Sequence, residues 1–161
     1  MLLTAISVLL LLLAANGAPV VGKRLLGEHL AGAIDGGRKF IDGRAIFGTS
    51  KTWRGLALSL ATTVFVAELL GYSWLFGLAF ASLSMAGDLI SSFIKRRLDI
   101  PPSGRFLGLD QIPEAALPLL VCQQPLGLDL LDVTLLTAVF CAGSLALSRV
   151  MFRLGIRDQP Y

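Results

Sequence analysis

The carboxylate of Asp88 stands near the end of an apolar run that closes on three consecutive cations, residues 95–97. Placing an aspartate in hydrocarbon costs about 2.5–3.5 kcal/mol on insertion scales, so an aspartate inside a membrane segment is expected to have a function. On a helix, Ser92 and Lys95 lie on the same face as Asp88, at offsets of four and seven residues. Ser91, at an offset of three, lies on that face too. This polar face requires a polar partner.

Two further segments carry residues suited to phosphate chemistry. Residues 35–55 are rich in glycine, which allows left-handed turns and leaves backbone amides free to bind anions, and they contain Lys51 and Arg54. A loop after the three cations ends at a second carboxylate, Asp110. Mg²⁺ is commonly held by one or two carboxylates plus substrate phosphates, and phosphoryl transfer depends mainly on positioning and charge neutralisation. The segments together indicate phosphoryl or nucleotidyl transfer from a nucleoside triphosphate carried on a divalent metal.

The alternative interpretations of these residues are structural. Asp88 and Asp110 could form ion pairs between helices, with Lys95 or Arg105 as the partners. Gly87 leaves room for a ligand to approach Asp88, which favours a functional role. The glycine-rich segment could be a solvated basic loop. It is not a P-loop, because the glycine spacing of that motif is absent and no soluble strand precedes it.

The composition is that of a membrane protein, with 55% hydrophobic and only 16% charged residues among 161. All fourteen Lys and Arg fall in three blocks, 23–54, 95–105 and 149–157, as expected for cytoplasmic loops between apolar runs. This distribution gives no reason to expect nucleic acid as a partner. A single histidine, His29, excludes a multi-histidine metal site, and Cys122 and Cys141 lie in apolar surroundings typical of small buried hydrophobes.

Hydropathy predicts an all-α integral membrane protein, one polytopic domain over residues 1–161 with five transmembrane helices. The helices are expected at about 1–21, 56–70, 74–94, 112–121 and 130–151. The fourth run is too short and proline-rich to be assigned by hydropathy, and it is included because basic blocks flank an acidic linker. The first cation follows the first apolar run, which favours an uncleaved helix over a signal peptide. We therefore expect the N-terminus outside, the C-terminus inside, and cytoplasmic loops at about 22–55 and 95–111.

The chain resembles the CDP-archaeol synthase family over about residues 14–115. The matching motifs are Asn16-x-x-Pro19, Asp42-Gly43-Arg44 followed by Gly48-x-x-Lys51-Thr52-x-Arg54-Gly55, Gly87-Asp88-Leu89-x-x-Ser92-Phe93-x-Lys95-Arg96-Arg97, and Asp110-Gln111. The segment from Ser84 to Arg96 also resembles, more distantly, the first half of the phosphatidate cytidylyltransferase (CDP-diacylglycerol synthase) signature.

The resemblance implies a multi-pass enzyme of the cell membrane, working among membrane lipids in phospholipid biosynthesis with its active site on the cytoplasmic side. Such an enzyme transfers CMP from CTP to a phosphorylated lipid alcohol with Mg²⁺ as the cofactor and releases pyrophosphate. By matched position, Asp88 and Asp110 would be metal ligands and, with Lys95, catalytic residues. The nucleotide-binding positions would be Asn16, Asp42, Arg44, Lys51, Thr52, Arg54, Gly55, Ser92 and Arg96.

Two positions depart from the family pattern. Gly48-Thr49-Ser50 stands where the family commonly has Gly-Asp-Gly, and the acid expected soon after Asp-Gln is displaced to Glu114. The rival function is a small membrane transporter or scaffold in which Asp88 relays protons or ions.

Overall fold

In the computed structural model, which describes residues 2–27, 29–104, 106 and 108–155, the chain is helical. The helices are α1 (Leu2–Leu26), α2 (Trp53–Leu69), α3 (Trp74–Arg97), α4 (Ile112–Val121), α5 (Gln123–Leu126) and α6 (Leu130–Arg153). Within the described residues, the only β-structure assigned is a pair of isolated bridges in the loop between α1 and α2. The all-helical architecture predicted from hydropathy is confirmed.

Three helices, α1, α3 and α6, are long and apolar enough to cross a membrane. The second and fourth predicted runs are also helical, but α2 has 17 residues and α4 has 10. At about 1.5 Å per residue they reach roughly 25 Å and 15 Å, against about 30 Å of hydrocarbon. Five crossings with the N-terminus outside therefore remain a prediction.

Helices α1 and α3 extend several residues beyond their predicted ends. Because α1 ends later and α2 begins earlier than predicted, the first loop is shortened to residues 27–52. Helix α1 continues through Pro19 and ends at Leu26, with Lys23 and Arg24 in its last turn. Cations are favoured there because the last carbonyl groups of a helix carry partial negative charge. Helix α3 likewise includes its three terminal cations and ends at Arg97. A helix predicted from hydropathy ends at the first charged residues, whereas the hydrogen bonding of the helix continues through them.

Helices α2 and α3 form a tight hairpin. Ser73 caps α3 by accepting a hydrogen bond from the Phe76 amide. A Cβ on Gly77 would lie 2.7 Å from the Cβ of Ala67, so the missing side chain lets the two helices meet closely. The hairpin packs on α1 around the fully buried Phe80, and α4 and α6 complete the core with side chains such as Leu119 and Phe140.

A second close approach joins α3 to the start of α4, directly beside Asp88. A Cβ on Gly87 would lie 2.1 Å from the carbonyl oxygen of Pro113 and 2.8 Å from the amide nitrogen of Glu114. Both atoms belong to the backbone, so neither can turn aside. The glycine therefore fixes the position of α4 and of the loop before it, which carries Asp110.

We expect Gly87→Ala to lower the melting temperature of the purified protein, because α4 must move away from α3. Forcing an extra carbon into a packed contact typically costs about 1–3 kcal/mol. The matched control is Gly143→Ala in α6, where an added Cβ meets nothing within 4 Å. That change should leave the melting temperature unchanged or raise it slightly, since alanine favours helix. Equal losses from both substitutions would contradict the packing role of Gly87.

Candidate active site

Two lysine–aspartate ion pairs form the centre of the candidate site. The Lys51 ammonium lies 2.6 Å from both carboxylate oxygens of Asp88. The Lys95 ammonium lies 2.5 Å from Oδ1 of Asp110. The structure thus brings together three segments that the sequence analysis expected to converge: the glycine-rich loop, the end of α3 and the loop before α4. The glycine-rich loop here means residues 35–52, and Asp88 and Lys95 both belong to α3, so each pair joins one of the two loops to that helix.

The ion pairs are largely removed from water. About a fifth of each side chain is exposed in the Lys51–Asp88 pair, and 10% and 23% in the Lys95–Asp110 pair. Burying a single charge costs several kcal/mol, so each partner needs the other. The alternative raised from the sequence, that the carboxylates form ion pairs, holds in the structure. The partner of Asp88 is Lys51, not Lys95, and Arg105 lies outside the described residues.

The end of α3 also holds the loop that follows it. Lys95 donates a second hydrogen bond to the carbonyl oxygen of Gly104, at 3.1 Å. Arg96 donates through Nη2 to the carbonyl oxygen of Pro101, at 3.0 Å. Asp110 in turn accepts a hydrogen bond from the Phe106 amide on its other carboxylate oxygen. The described residues of this loop, 98–104, 106 and 108–110, are therefore folded back against the helix that precedes them.

Arg96 has unused hydrogen-bonding capacity. The residue is only 5% exposed, yet its Nε and Nη1 atoms have no hydrogen-bond partner within the described part of the chain. Nη1 faces the glycine-rich loop, because a Cβ on Gly48 would lie 3.1 Å from it. Buried donors are normally satisfied by protein, water or an ion, so these two nitrogens are available to a further acceptor.

Asp35, which the sequence analysis did not select, organises the glycine-rich loop. Its buried carboxylate accepts hydrogen bonds from the backbone amides of Gly37, Phe47 and Gly48, at 2.8–3.0 Å. Gly37 and Gly48 have positive φ angles of 74° and 91°, which glycine adopts without strain. Only the spacing of glycines around an aspartate hinted at this contact in the sequence.

Burial raises the pKa of the Asp35 carboxyl, but the hydrogen bonds from Gly48, Phe47, Gly37 and its own amide outweigh burial and lower the pKa overall. Because the folded pKa lies below the unfolded one, the charged carboxylate stabilises the loop fully above the unfolded pKa, roughly 3.9. That stabilisation is lost as the pH falls through the lower, folded value. The loop is therefore fully held at neutral pH.

Asp42 and Arg44, predicted to bind nucleotide, contact the end of α3 and Asp99, which follows it. Asp42 forms an ion pair with Arg97 at 3.0 Å, and Arg44 forms one with Asp99 at 2.5 Å. Arg44 also donates to the carbonyl oxygen of Arg97, and Arg97 donates to that of Ala45. These contacts fasten the glycine-rich loop to α3. A role in binding nucleotide remains a prediction for both residues.

Thr52, Arg54 and Gly55 are engaged in packing where α1 meets α2. Thr52 caps α2 by accepting a hydrogen bond from the Gly55 amide. Arg54 donates to the carbonyl oxygens of Gly27 and His29, at 2.7 and 2.6 Å, just after α1 ends. A Cβ on Gly55 would lie 3.4 Å from Pro19, so this glycine permits the close approach of α1. Their predicted contact with nucleotide phosphates is untested.

Asn16 and Ser92, the remaining predicted positions, lie among the helices. Asn16 donates a hydrogen bond to the hydroxyl of Ser84 at 3.2 Å, which links α1 to α3. Ser92 is 2% exposed and lies on the face of α3 that carries Asp88. Glu114 is in the first turn of α4. The structure therefore places Asn16 in a helix–helix contact and Ser92 beside the ion pairs.

The donor set at the site suits a magnesium ion that is completed by substrate. The described residues contain no group of three or more His, Cys, Asp or Glu side chains that could hold a metal ion. Asp88 and Asp110 together offer hard carboxylate oxygens, which Mg²⁺ prefers, and phosphate oxygens and water would supply the rest. To hold such an ion, these residues would need a phosphorylated ligand to supply further oxygen ligands.

Sequence comparison identifies the family. The model of the CarS-like family, described as CDP-archaeol synthase, matches residues 1–77 and 73–161. The chain belongs to this family. Relatives named CDP-archaeol synthase include one from Sulfurisphaera tokodaii, 34% identical over 80% of this chain and 81% of the relative. Another, from Pyrobaculum calidifontis, is 41% identical over 66% of each chain. The resemblance found from the motifs is confirmed.

Other relatives match over a shorter length. The CDP-archaeol synthase of Saccharolobus islandicus is 46% identical, but the match spans about half of each chain, 49% of this one and 51% of the relative. A solved structure described as an intramembrane enzyme for archaeal membrane lipids biosynthesis superposes with a TM-score of 0.70 at 27% identity. It covers 89% of this chain and 91% of the solved one. With the three long apolar helices, this likeness shows a multi-pass membrane protein.

We expect Asp35→Asn to loosen the glycine-rich loop while the helices remain folded. Hydrogen bonds to a charged acceptor are worth about 1.5–3 kcal/mol, so the Phe47 and Gly48 amides should exchange with solvent at least about tenfold faster. Hydrogen exchange read by mass spectrometry on peptides covering residues 44–50 measures this. Asp132→Asn, at the start of α6, is the matched control and should leave these peptides unchanged. Unaltered exchange in Asp35→Asn would show that the carboxylate does not hold the loop.

Proposed function

We propose that this protein transfers CMP from CTP to a phosphorylated lipid alcohol, which gives a CDP-activated lipid and pyrophosphate. The observation that carries the proposal is the pairing of Lys51 with Asp88 and of Lys95 with Asp110 at one end of the bundle. Two ammonium groups and two carboxylates are the complement needed to bind a triphosphate with its metal. The membership of the CDP-archaeol synthase family supports the choice of nucleotide and of a lipid acceptor.

The ion pairs explain how the buried charges are stabilised within the protein and how the site can accept substrate. Without ligand, each lysine neutralises a carboxylate that would otherwise be buried alone. A triphosphate offers the lysines more negative charge than an aspartate does, and a divalent cation offers the carboxylates more positive charge. The two partners of each pair can therefore separate toward ligand without leaving a charge unpaired. We expect nucleotide and metal to bind together for this reason.

Asp88 and Asp110 would hold the Mg²⁺ ion. When bound, the ion supplies neutralisation of charge on the triphosphate and on the departing pyrophosphate. Lys51 and Lys95 would contact phosphate oxygens in place of their carboxylate partners. The unpartnered Nε and Nη1 atoms of Arg96, beside Gly48, would receive a further phosphate oxygen. These contacts lower the repulsion between two anions that must approach each other.

The lipid acceptor needs orientation more than activation. A lipid phosphate is already anionic near neutral pH, so it attacks without a strong base. Helix α3 has exposed apolar residues, such as Ile90 and Ile94, on one face. At the same level, another face carries Asp88 and Lys95. A lipid whose chains lie along this helix would present its phosphate near the charged face. We place this end of the bundle on the cytoplasmic side of the cell membrane, as the distribution of basic residues favours.

The test is release of pyrophosphate by the purified protein from CTP, Mg²⁺ and a panel of phosphorylated lipid alcohols, with ether-linked isoprenoid and ester-linked acyl members. Asp88→Asn and Asp110→Asn should each reduce turnover by at least about 100-fold, the scale set by removing one group that stabilises transition-state charge. Each variant leaves a lysine without its partner and should lose some stability, so turnover is measured per folded protein. Asp132→Asn is the matched control and should keep full activity, since Asp132 lines a cavity with Leu2 and Ala5 at the other end of α1.

The opposite outcome would indicate purely structural ion pairs. In that case Asp88→Asn would lose stability first and keep its turnover in the fraction that remains folded. A transporter or scaffold, the rival function, would release no pyrophosphate and would show no Mg²⁺-dependent thermal shift with CTP.

Lys51→Gln should change the affinity for metal and the affinity for nucleotide in opposite directions. The substitution frees both oxygens of Asp88, so Mn²⁺ should bind more tightly in the absence of nucleotide. We expect at least about a tenfold gain, because an opposite charge at contact distance is worth several kcal/mol at an effective dielectric of about 20. Affinity for CTP with metal should fall. Titration of free Mn²⁺ by electron paramagnetic resonance and of CTP by calorimetry measures both, with Lys39→Gln in the same loop as the control. Parallel losses of both affinities would contradict the exchange of partners.

A further inference from the structure

A large apolar side chain, Ile41, is almost fully exposed in the glycine-rich loop. Its exposed fraction is 94%. The surrounding turn is ordered by hydrogen bonds, from the Phe40 amide to the carbonyl oxygen of Arg44 at 2.7 Å and from the Gly43 amide to that of Phe40 at 2.9 Å. A β-bridge between Lys39 and Ala45 closes it. We call residues 39–45 the hairpin tip.

The hairpin tip is packed on the last turn of α3. The ring of Phe40 meets that of Phe93 edge to face, with centroids 5.2 Å apart. The Arg97 guanidinium lies over both rings, 5.0 Å from the centroid of Phe40 and 4.6 Å from that of Phe93. These contacts fix the height of the tip along α3. It lies level with residues 93–97, where the membrane span ends in three cations.

Exposed apolar residues border this contact, on the part of α3 that a bilayer would surround. Ile90, Ile94 and Leu98 are exposed at 49%, 37% and 54%, and their spacing of four residues places them along one strip of the helix. The strip adjoins Phe93 and Arg97, which lie three residues on from Ile90 and Ile94. The tip therefore sits beside the surface of α3 that faces lipid, at the level where headgroups begin.

The charge around Ile41 is positive. Asp42 and Arg44 are paired with Arg97 and Asp99, so they are already neutralised. Arg38 and Lys39 are exposed, and the structure gives neither an ion pair with any described residue. One apolar side chain flanked by two cations at headgroup height is complementary to an acidic bilayer surface. Each cation near such a surface contributes about 1 kcal/mol.

We propose that the hairpin tip is embedded in the membrane surface, with Ile41 at the boundary of the acyl chains and with Arg38 and Lys39 on acidic headgroups. The contact gives the glycine-rich loop a second support besides α3. A single exposed apolar residue is ordinary on a protein surface. Here its height beside the lipid-facing strip and its flanking cations identify the bilayer as the partner. The inference does not depend on the reaction proposed above.

A fluorescent label at position 41 tests the contact. The background is Cys122→Ala with Cys141→Ala, in which Ile41→Cys carries an environment-sensitive nitrobenzoxadiazole label. Thr49→Cys, an exposed residue of the same loop, carries the label in the control. Both proteins are reconstituted into vesicles of neutral and acidic phospholipid with and without spin-labelled quencher lipids. Because Ile41 makes so little contact with the protein, its replacement should leave the fold intact, which the melting temperature verifies.

We expect the label at position 41 to emit at shorter wavelength than the label at position 49 and to be quenched more strongly by the quencher lipids. Adding Arg38→Gln and Lys39→Gln should reduce the ratio of embedded to non-embedded tip about fivefold for each cation removed. A water-like emission at position 41, or quenching no stronger than at position 49, would overturn the proposal. So would a blue-shifted label that quencher lipids do not reach, since the tip would then be covered by protein.

Discussion

The charges at the end of α3 have to be neutralised where the helix leaves hydrocarbon, and this requirement fixes the segments around them. Asp88 forms an ion pair with Lys51 of the glycine-rich loop, and Lys95 forms one with Asp110 of the loop before α4. A carboxylate or ammonium left alone at this depth would cost several kcal/mol, so the two loops are bound to the helix by necessity. The same four groups are those that a metal–triphosphate complex would need.

The rest of the structure positions these groups by close backbone contact. Gly87 lets the start of α4 lie directly against α3, and Gly55 lets α2 meet α1 at Pro19. Asp35 gathers three backbone amides and so shapes the loop that delivers Lys51. Several of the residues predicted to contact nucleotide also make structural contacts of this kind, among them Thr52, Arg54 and Asp42. Their sequence pattern reflects the geometry of the loop as well as any contact with ligand.

The helices and the central charges could be predicted from the sequence, because hydropathy and helical periodicity depend on local spacing. The partner of Asp88 could not, because Lys51 is 37 residues away and only the folded loop brings it close. Asp35 was not identified for a related reason: its partners are backbone amides, and only the spacing of nearby glycines hints at them in the sequence. The fourth helix was located correctly at Ile112–Val121, yet its length of 10 residues leaves its path through the membrane to experiment.

The central claim is that the two ion pairs exchange their partners when substrate binds. Diffraction from crystals grown with CTP and Mn²⁺ tests it most directly, since anomalous scattering locates the metal. The account predicts a Mn²⁺ peak coordinated by the carboxylates of Asp88 and Asp110, with the ammonium groups of Lys51 and Lys95 on phosphate oxygens. A structure with CTP bound and both lysine–aspartate pairs intact, or with the metal bound elsewhere, would contradict it.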